Sequence, residues 1–147
     1  MKLFNYLPYY LLIVNSITQS KNFKDFVGFV VEGQKRGRAL DFPTINLRAI
    51  IPKRFHYGVY VVRVLTDFGF FWGAMHYGPI PTFKLAESHI EIHLLDFSGD
   101  LYGKKVDVEI CKKIRNIQTF STLEALKNQI ATDVAFVREY ERSIFDR

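Results

Sequence analysis

The chain holds a single cysteine, Cys111, so no disulfide can close within it. That excludes a disulfide-stapled secreted scaffold and suits a reducing compartment, expected to be the cytoplasm. Cys111 follows an alternating strand pattern and is expected simply to pack. His56, His76, His89 and His93 form no HExxH pattern, and no Cys/His cluster has zinc spacing. An HxGH-type nucleotidyl-transfer signature is absent too. No apolar run is long enough to span a bilayer, so no membrane partner is expected. The stretch MKLFNYLPYYLLIVNSITQS loosely imitates a signal peptide, but Asn5 and Pro8 break it and no A-x-A site follows. Residues 1–25 are therefore expected to form an N-terminal apolar arm or the remnant of a linker.

No internal repeat or low-complexity linker divides the rest, so 26–147 reads as one domain, long enough for an ordinary core. Aromatic residues are 16% of the 147 and favour strands. The formal net charge of +5 suits an acidic ligand but does not choose between nucleotide, nucleic acid and anionic surface.

Strands are legible by composition and period two. FVGFVVE from Phe26 is the first. YGVYVVRVL from Tyr57 and FFWGAMHY pair as a hairpin about TDFG. HIEIHLLDF sets Ile90, Ile92 and Leu94 on one face and Glu91, His93 and Leu95 on the other. KKVDVEICKKI alternates again. GQKRGRALDFP and GPIPTFKLAES read as loops. Past Phe120 the period becomes helical, through Leu123, Leu126, Ile130, Val134 and Val137. Ser121 with Glu124 predicts a capping box, and a helix from about Thr122 to 144. Five or six antiparallel strands and a helix are most simply arranged as a closed or nearly closed barrel.

Three constellations could carry chemistry. Thr44 and Asn46, two apart on extended chain, offer neutral oxygens to a hard cation already held by phosphates. Residue types alone favour a turn in which both satisfy backbone groups. The loop GQKRGR could cradle an anion with Gly33, Lys35, Arg36, Gly37 and Arg38, or be a solvated basic turn. Glu91, between Ile90 and Ile92, is either solvent-facing or a general base.

Taken in order, GFVVEGQKRGRALDFPTINL, GVYVVRV, GPIPTF, EIHLLDFSGDLYGKKVDVEI and IRNIQTFSTLEALKNQIATDV closely resemble the riboflavin kinase domain. This domain forms the C-terminal half of bacterial bifunctional riboflavin kinase/FAD synthetases and stands alone in eukaryotes. The resemblance runs from Phe26 to Arg138. It implies a mainly β fold, a six-stranded antiparallel Greek-key barrel with a C-terminal α-helix. It also implies transfer of the γ-phosphoryl group of ATP to the 5′-hydroxyl of riboflavin, with Mg²⁺, giving FMN and ADP. On that resemblance Thr44 and Asn46 would hold the Mg²⁺–nucleotide and Glu91 would take the hydroxyl proton. Gly28, Gly33, Lys35, Arg36 and Gly37 would line the phosphates, and Arg115 would stand at the flavin. A monomer is expected, with no nucleic-acid partner and no FAD production.

The sequence departs from the family pattern at several points. Asp41 stands where glycine is usual, His76-Tyr77-Gly78 replaces Asn-Ile-Gly, Ile80 replaces an arginine, and Ile117 replaces the acid of Arg-x-Glu. These residues leave a second reading open, a barrel that binds flavin or nucleotide without turnover. Charge and aromatics leave a third, a nucleic-acid-binding barrel.

Overall fold

Apolar residues alternating along each strand need one covered face, and six such strands cover one another by curling into a tube. The computed structural model describes residues 24–146. Its elements are β1 (Phe26–Val31), α1 (Arg36–Ala39), β2 (Ile45–Ala49), β3 (Gly58–Thr66), β4 (Gly69–Ile80), a 3-10 turn (Pro81–Phe83), β5 (Leu85–Leu94), β6 (Lys105–Arg115) and α2 (Leu123–Phe145). Apart from Lys24 and Asp25, the arm expected over residues 1–25 lies outside the described residues.

The strands pair antiparallel in the order β1-β2-β5-β4-β3-β6, and β6 pairs with β1 to close the barrel. β3, β4 and β5 are consecutive neighbours, and β6 returns beside β3, which makes a Greek key. Closure satisfies both edges of every strand. The expected six-stranded barrel with a C-terminal helix is therefore what forms.

Val62, Val64, Met75, Ile92, Val106 and Val108 fill the tube and are almost wholly buried. Each contributes about 1.5–3 kcal/mol by leaving water. β3 is buried on both faces because α2 lies across its outside. There Val61, Leu95 and Val137 form a second core, with Cys111 packed against it. Burial pushes the Cys111 thiol up to about 12, so it packs as expected and is not a nucleophile.

Several expectations are corrected. INLRA forms β2, because β1 and β5 each supply it with a partner. The loop after β1 contains α1, entered through Lys35 at φ 55°. The loop at 78–88 is mostly ladder: β4 reaches Ile80 and β5 starts at Leu85. Pro79, which cannot donate to a ladder, falls at the register shift between Gly78 and Ile80. The helix is capped by Thr122 and not by Ser121. Thr122 is extended, at φ −135° and ψ 153°, and its hydroxyl accepts from the Ala125 amide at 3.1 Å. That makes Ala125 the third helical residue, so Glu124 closes no box with Ser121. Leu123, at the first helical position, is 55% exposed and not part of the apolar stripe.

Thr122→Ala is expected to cost about 1 kcal/mol of stability in urea unfolding. Ser121→Ala is expected to leave the midpoint unchanged. A larger loss from the serine variant would move the cap back to Ser121.

Candidate active site

Period two decides which β5 residues are free for chemistry. With Ile90, Ile92 and Leu94 inside, Glu91 and His93 face outward. Glu91 stands opposite Asn46 on β2 and His76 on β4. Outward residues of β3, β4 and β5 form the floor of an open cleft. The α1 segment walls one side and α2 the other. Ile80, Phe83, Leu126 and Ile130 give it an apolar wall.

Arg36 projects from α1 into this cleft. Its Nη2 is 3.4 Å from Glu91 Oε1, and its guanidinium lies 5.2 Å from the Phe83 ring centroid. Gly37 makes this placement possible. A Cβ there would sit 2.2 Å from the Phe42 carbonyl oxygen, so the turn closes only around glycine. The Phe42 amide donates to the Gly37 carbonyl at 2.7 Å. Gly33 has a similar function, because a Cβ on it would collide with the Asn46 amide at 1.9 Å.

Thr44 borders the Glu91 cleft and a second, more polar groove shared with Arg38, Ser98 and Gly99. Asn46 borders a third groove, with Gly33 and Arg36. No hydrogen bond among the described residues engages the Thr44 hydroxyl or the Asn46 side-chain amide. No cluster of three or more His, Cys, Asp or Glu among the described residues could hold a metal. A cation here would therefore need neutral protein oxygens and ligand oxygens. Thr44 and Asn46 provide the former, and that donor set fits Mg²⁺.

Arg115, at the end of β6, also reaches the cleft, but its guanidinium is already engaged. Nε and Nη2 donate to the Asp133 carboxylate at 3.0 and 2.9 Å, and Nη1 donates to the Asn116 carbonyl at 3.1 Å. Gln129 Nε2 donates to the same carboxylate at 3.0 Å. Asp133 is 3% exposed, so this fork is a buried splint between β6 and α2. Sequence reading missed Asp133. The signal was a polar pair at i, i+4, Gln129 and Asp133, inside the apolar stripe of a helix.

Two expected site residues do not reach the cleft. Gly28 faces the barrel interior, where a Cβ would come within 3.0 Å of Leu47 Cδ1. Lys35 is exposed at the entry to α1. Asp41 does take a positive φ, 66°, as a glycine position would. Its carboxylate does not face the cleft; it pairs with Lys127 of α2.

His76 was noted in the sequence only as a departure. Its Nε2 donates to the Gly78 and Pro79 carbonyls at 3.1 and 2.9 Å, which fixes the proton on that nitrogen. Burial holds its pKa below the ordinary 6.5, and Arg115 pushes the same way. The two carbonyls and Glu91 pull it back up.

The class of protein so defined is a small closed barrel with a cleft outside the tube, walled by a helix. Residues 21–141 match the family model described as Flavokinase: Riboflavin kinase. The chain belongs to the riboflavin kinase family. It is 39% identical over 117 residues to a bifunctional riboflavin kinase/FMN adenylyltransferase of Haemophilus influenzae, covering 79% of this chain and 38% of that one. The corresponding Escherichia coli protein is 42% identical over 118 residues, covering 77% and 36%. An RNA-binding riboflavin kinase of Bacillus subtilis is 40% identical over 111 residues, covering 75% and 48%. The chain thus spans less than half the length of these relatives. Among solved structures, a Streptococcus pneumoniae protein described as a macrolide-efflux protein aligns at TM-score 0.67 and 32% identity, covering 77% and 38%. A riboflavin kinase from Trypanosoma brucei aligns at 0.55 and 24%, covering 80% and 78%, a likeness of fold.

The unfolded chain protonates His76 near pH 6.5, while the folded chain resists until lower pH. The unfolded state therefore binds more protons as pH falls through 6.5, and stability falls with it. His76→Asn is expected to remove up to about 1.4 kcal/mol per pH unit of that acid loss between pH 6.5 and 5.5. Urea unfolding across that range measures it. Equal slopes for parent and variant would contradict a buried neutral imidazole.

Proposed function

We propose that this domain transfers the γ-phosphoryl group of ATP to the 5′-hydroxyl of riboflavin, giving FMN and ADP. The observation that carries the reading is the position of Glu91. It stands on the cleft floor, opposite Asn46 and beside the Thr44 segment, with an apolar wall on its other side.

The apolar wall of Ile80, Phe83, Leu126 and Ile130 suits an isoalloxazine ring, with Arg115 at its edge. This directs the ribityl chain towards Glu91. The polar groove that meets the cleft at Thr44, bearing Arg38 and Ser98, suits the nucleotide. In-line transfer needs acceptor hydroxyl and γ-phosphorus to meet between these two sites, where Thr44 lies. Glu91 takes the proton of the 5′-hydroxyl as that oxygen bonds to phosphorus and the bond to the ADP oxygen breaks. Arg36, now 3.4 Å from Glu91, is within reach of developing phosphate charge. Thr44 and Asn46 would hold Mg²⁺ through neutral oxygens, and the ion would neutralise phosphate charge.

No described helix is long and apolar enough to cross a membrane. We read the domain as a cytoplasmic monomer, in keeping with its lone buried thiol.

Folded protein given riboflavin, ATP and Mg²⁺ is expected to yield FMN, read by chromatography. Its absence would overturn the reading. Glu91→Gln is expected to lower kcat by about 10²-fold or more, with riboflavin affinity by fluorescence quenching nearly unchanged. Equal losses in both would remove Glu91 from the role of base.

A further inference from the structure

The backbone ladder between β2 and β5 is short. It registers Ile45 with Ile92 and Asn46 with Glu91. Thr44, the proposed phosphate and metal ligand, lies one residue beyond it. What then fixes Thr44 relative to Glu91? His93 lies two residues past Glu91 on the same strand face. Its Nδ1 is 2.7 Å from the Pro43 carbonyl oxygen. A carbonyl can only accept, so Nδ1 carries the proton. The Pro43 carbonyl and the Thr44 nitrogen belong to one rigid peptide plane. Holding that oxygen therefore orients the backbone from which the Thr44 side chain springs.

The same imidazole meets Phe42 edge-on, at 5.4 Å between ring centroids. Phe42 in turn is bonded to Gly37, next to Arg36. One side chain of β5 thus clamps the whole 36–44 segment at the point where the ladder has ended.

Resting on the phosphotransferase reading, we infer that His93 is a positioning residue for this reaction. Its Nδ1–H to Pro43 bond sets Thr44 for the nucleotide phosphates. The ring contact and the hydrogen bond can be parted by mutation. His93→Phe keeps a ring against Phe42 and loses the donor. His93→Asn loses the ring and keeps an N–H near the place of Nδ1.

The first measurement needs no ligand: hydrogen exchange at the Phe42 amide. His93→Phe is expected to speed it about fivefold, the effect of one lost hydrogen bond, and His93→Asn to stay within about twofold of the parent. The second is calorimetric titration with MgADP. His93→Phe is expected to weaken binding about fivefold, again with His93→Asn near the parent. Parental exchange and MgADP affinity in His93→Phe would overturn the proposal. So would an equal loss in His93→Asn, which would make the ring contact the cause. A parent that binds no MgADP would overturn the phosphotransferase reading instead. The exchange comparison, made without ligand, decides the His93 contact by itself.

Discussion

The two-residue alternation of β5 is the constraint on which both the barrel and its cleft depend. Ile90, Ile92 and Leu94 must face inward to complete the tube. Once they do, Glu91 and His93 have no choice but to face out. A one-residue slip would bury a carboxylate and an imidazole and expose three core side chains. The core thus enforces the site's geometry, and register errors are strongly disfavoured. Neighbouring strands extend the logic. β2 and β4 flank β5, so Asn46 and His76 stand on either side of Glu91 without any contact designed for that purpose.

The two walls of the cleft are attached with different strengths. On the α2 side the Arg115 fork grips Asp133, with side chains only 16% and 4% exposed. Removing one partner of such a pair costs about 3–5 kcal/mol, because the other stays buried and uncompensated. Across the cleft, Lys127 and Asp41 join α2 to the loop after α1, but both side chains are largely exposed. Pairs of that kind contribute about 0–1 kcal/mol. The helix wall is therefore fixed, and the α1 segment owes its place to backbone packing at Gly37 and to the His93 bond more than to the surface ion pair.

Sequence made the long elements legible because their periods are strong: two in β3 to β6 and 3.6 in α2. β2 was not legible as a strand. INLRA is five residues with only Leu47 fully buried, and it becomes a strand because β1 and β5 lie on either side. α1 was not legible either, since RGRA has no helical signal and its turn is closed by the Phe42 amide donating to the Gly37 carbonyl. Within the site, Thr44, Asn46 and Glu91 could be singled out by residue type and spacing. Asp133 was missed, because its only sequence signal was the polar pair with Gln129 and its main partner, Arg115, lies 18 residues earlier. Gly28 and Lys35 lie outside the cleft. They are close in sequence to Gly33 and Arg36, but the strand period turns Gly28 inward and the αL entry to α1 leaves Lys35 in solvent.

Asp41 and Ile80 are the departures that most favoured a barrel without turnover, and the structure weakens both grounds. At φ 66° a residue with a Cβ costs about 1–2 kcal/mol, and aspartate is among those that tolerate it. Its charge was the greater objection, since an anion beside phosphates would repel them. The carboxylate pairs instead with Lys127, and the basic groups Arg36 and Arg38 line the grooves that Thr44 borders. Ile80 extends an apolar wall already formed by Phe83, Leu126 and Ile130. A charge lost there leaves the oxygen donors around Glu91 untouched. Of the residues that differ from the family pattern, Ile80 thus lies on the wall of the cleft, His76 on its floor beside Glu91, and Asp41 pairs with Lys127 outside it.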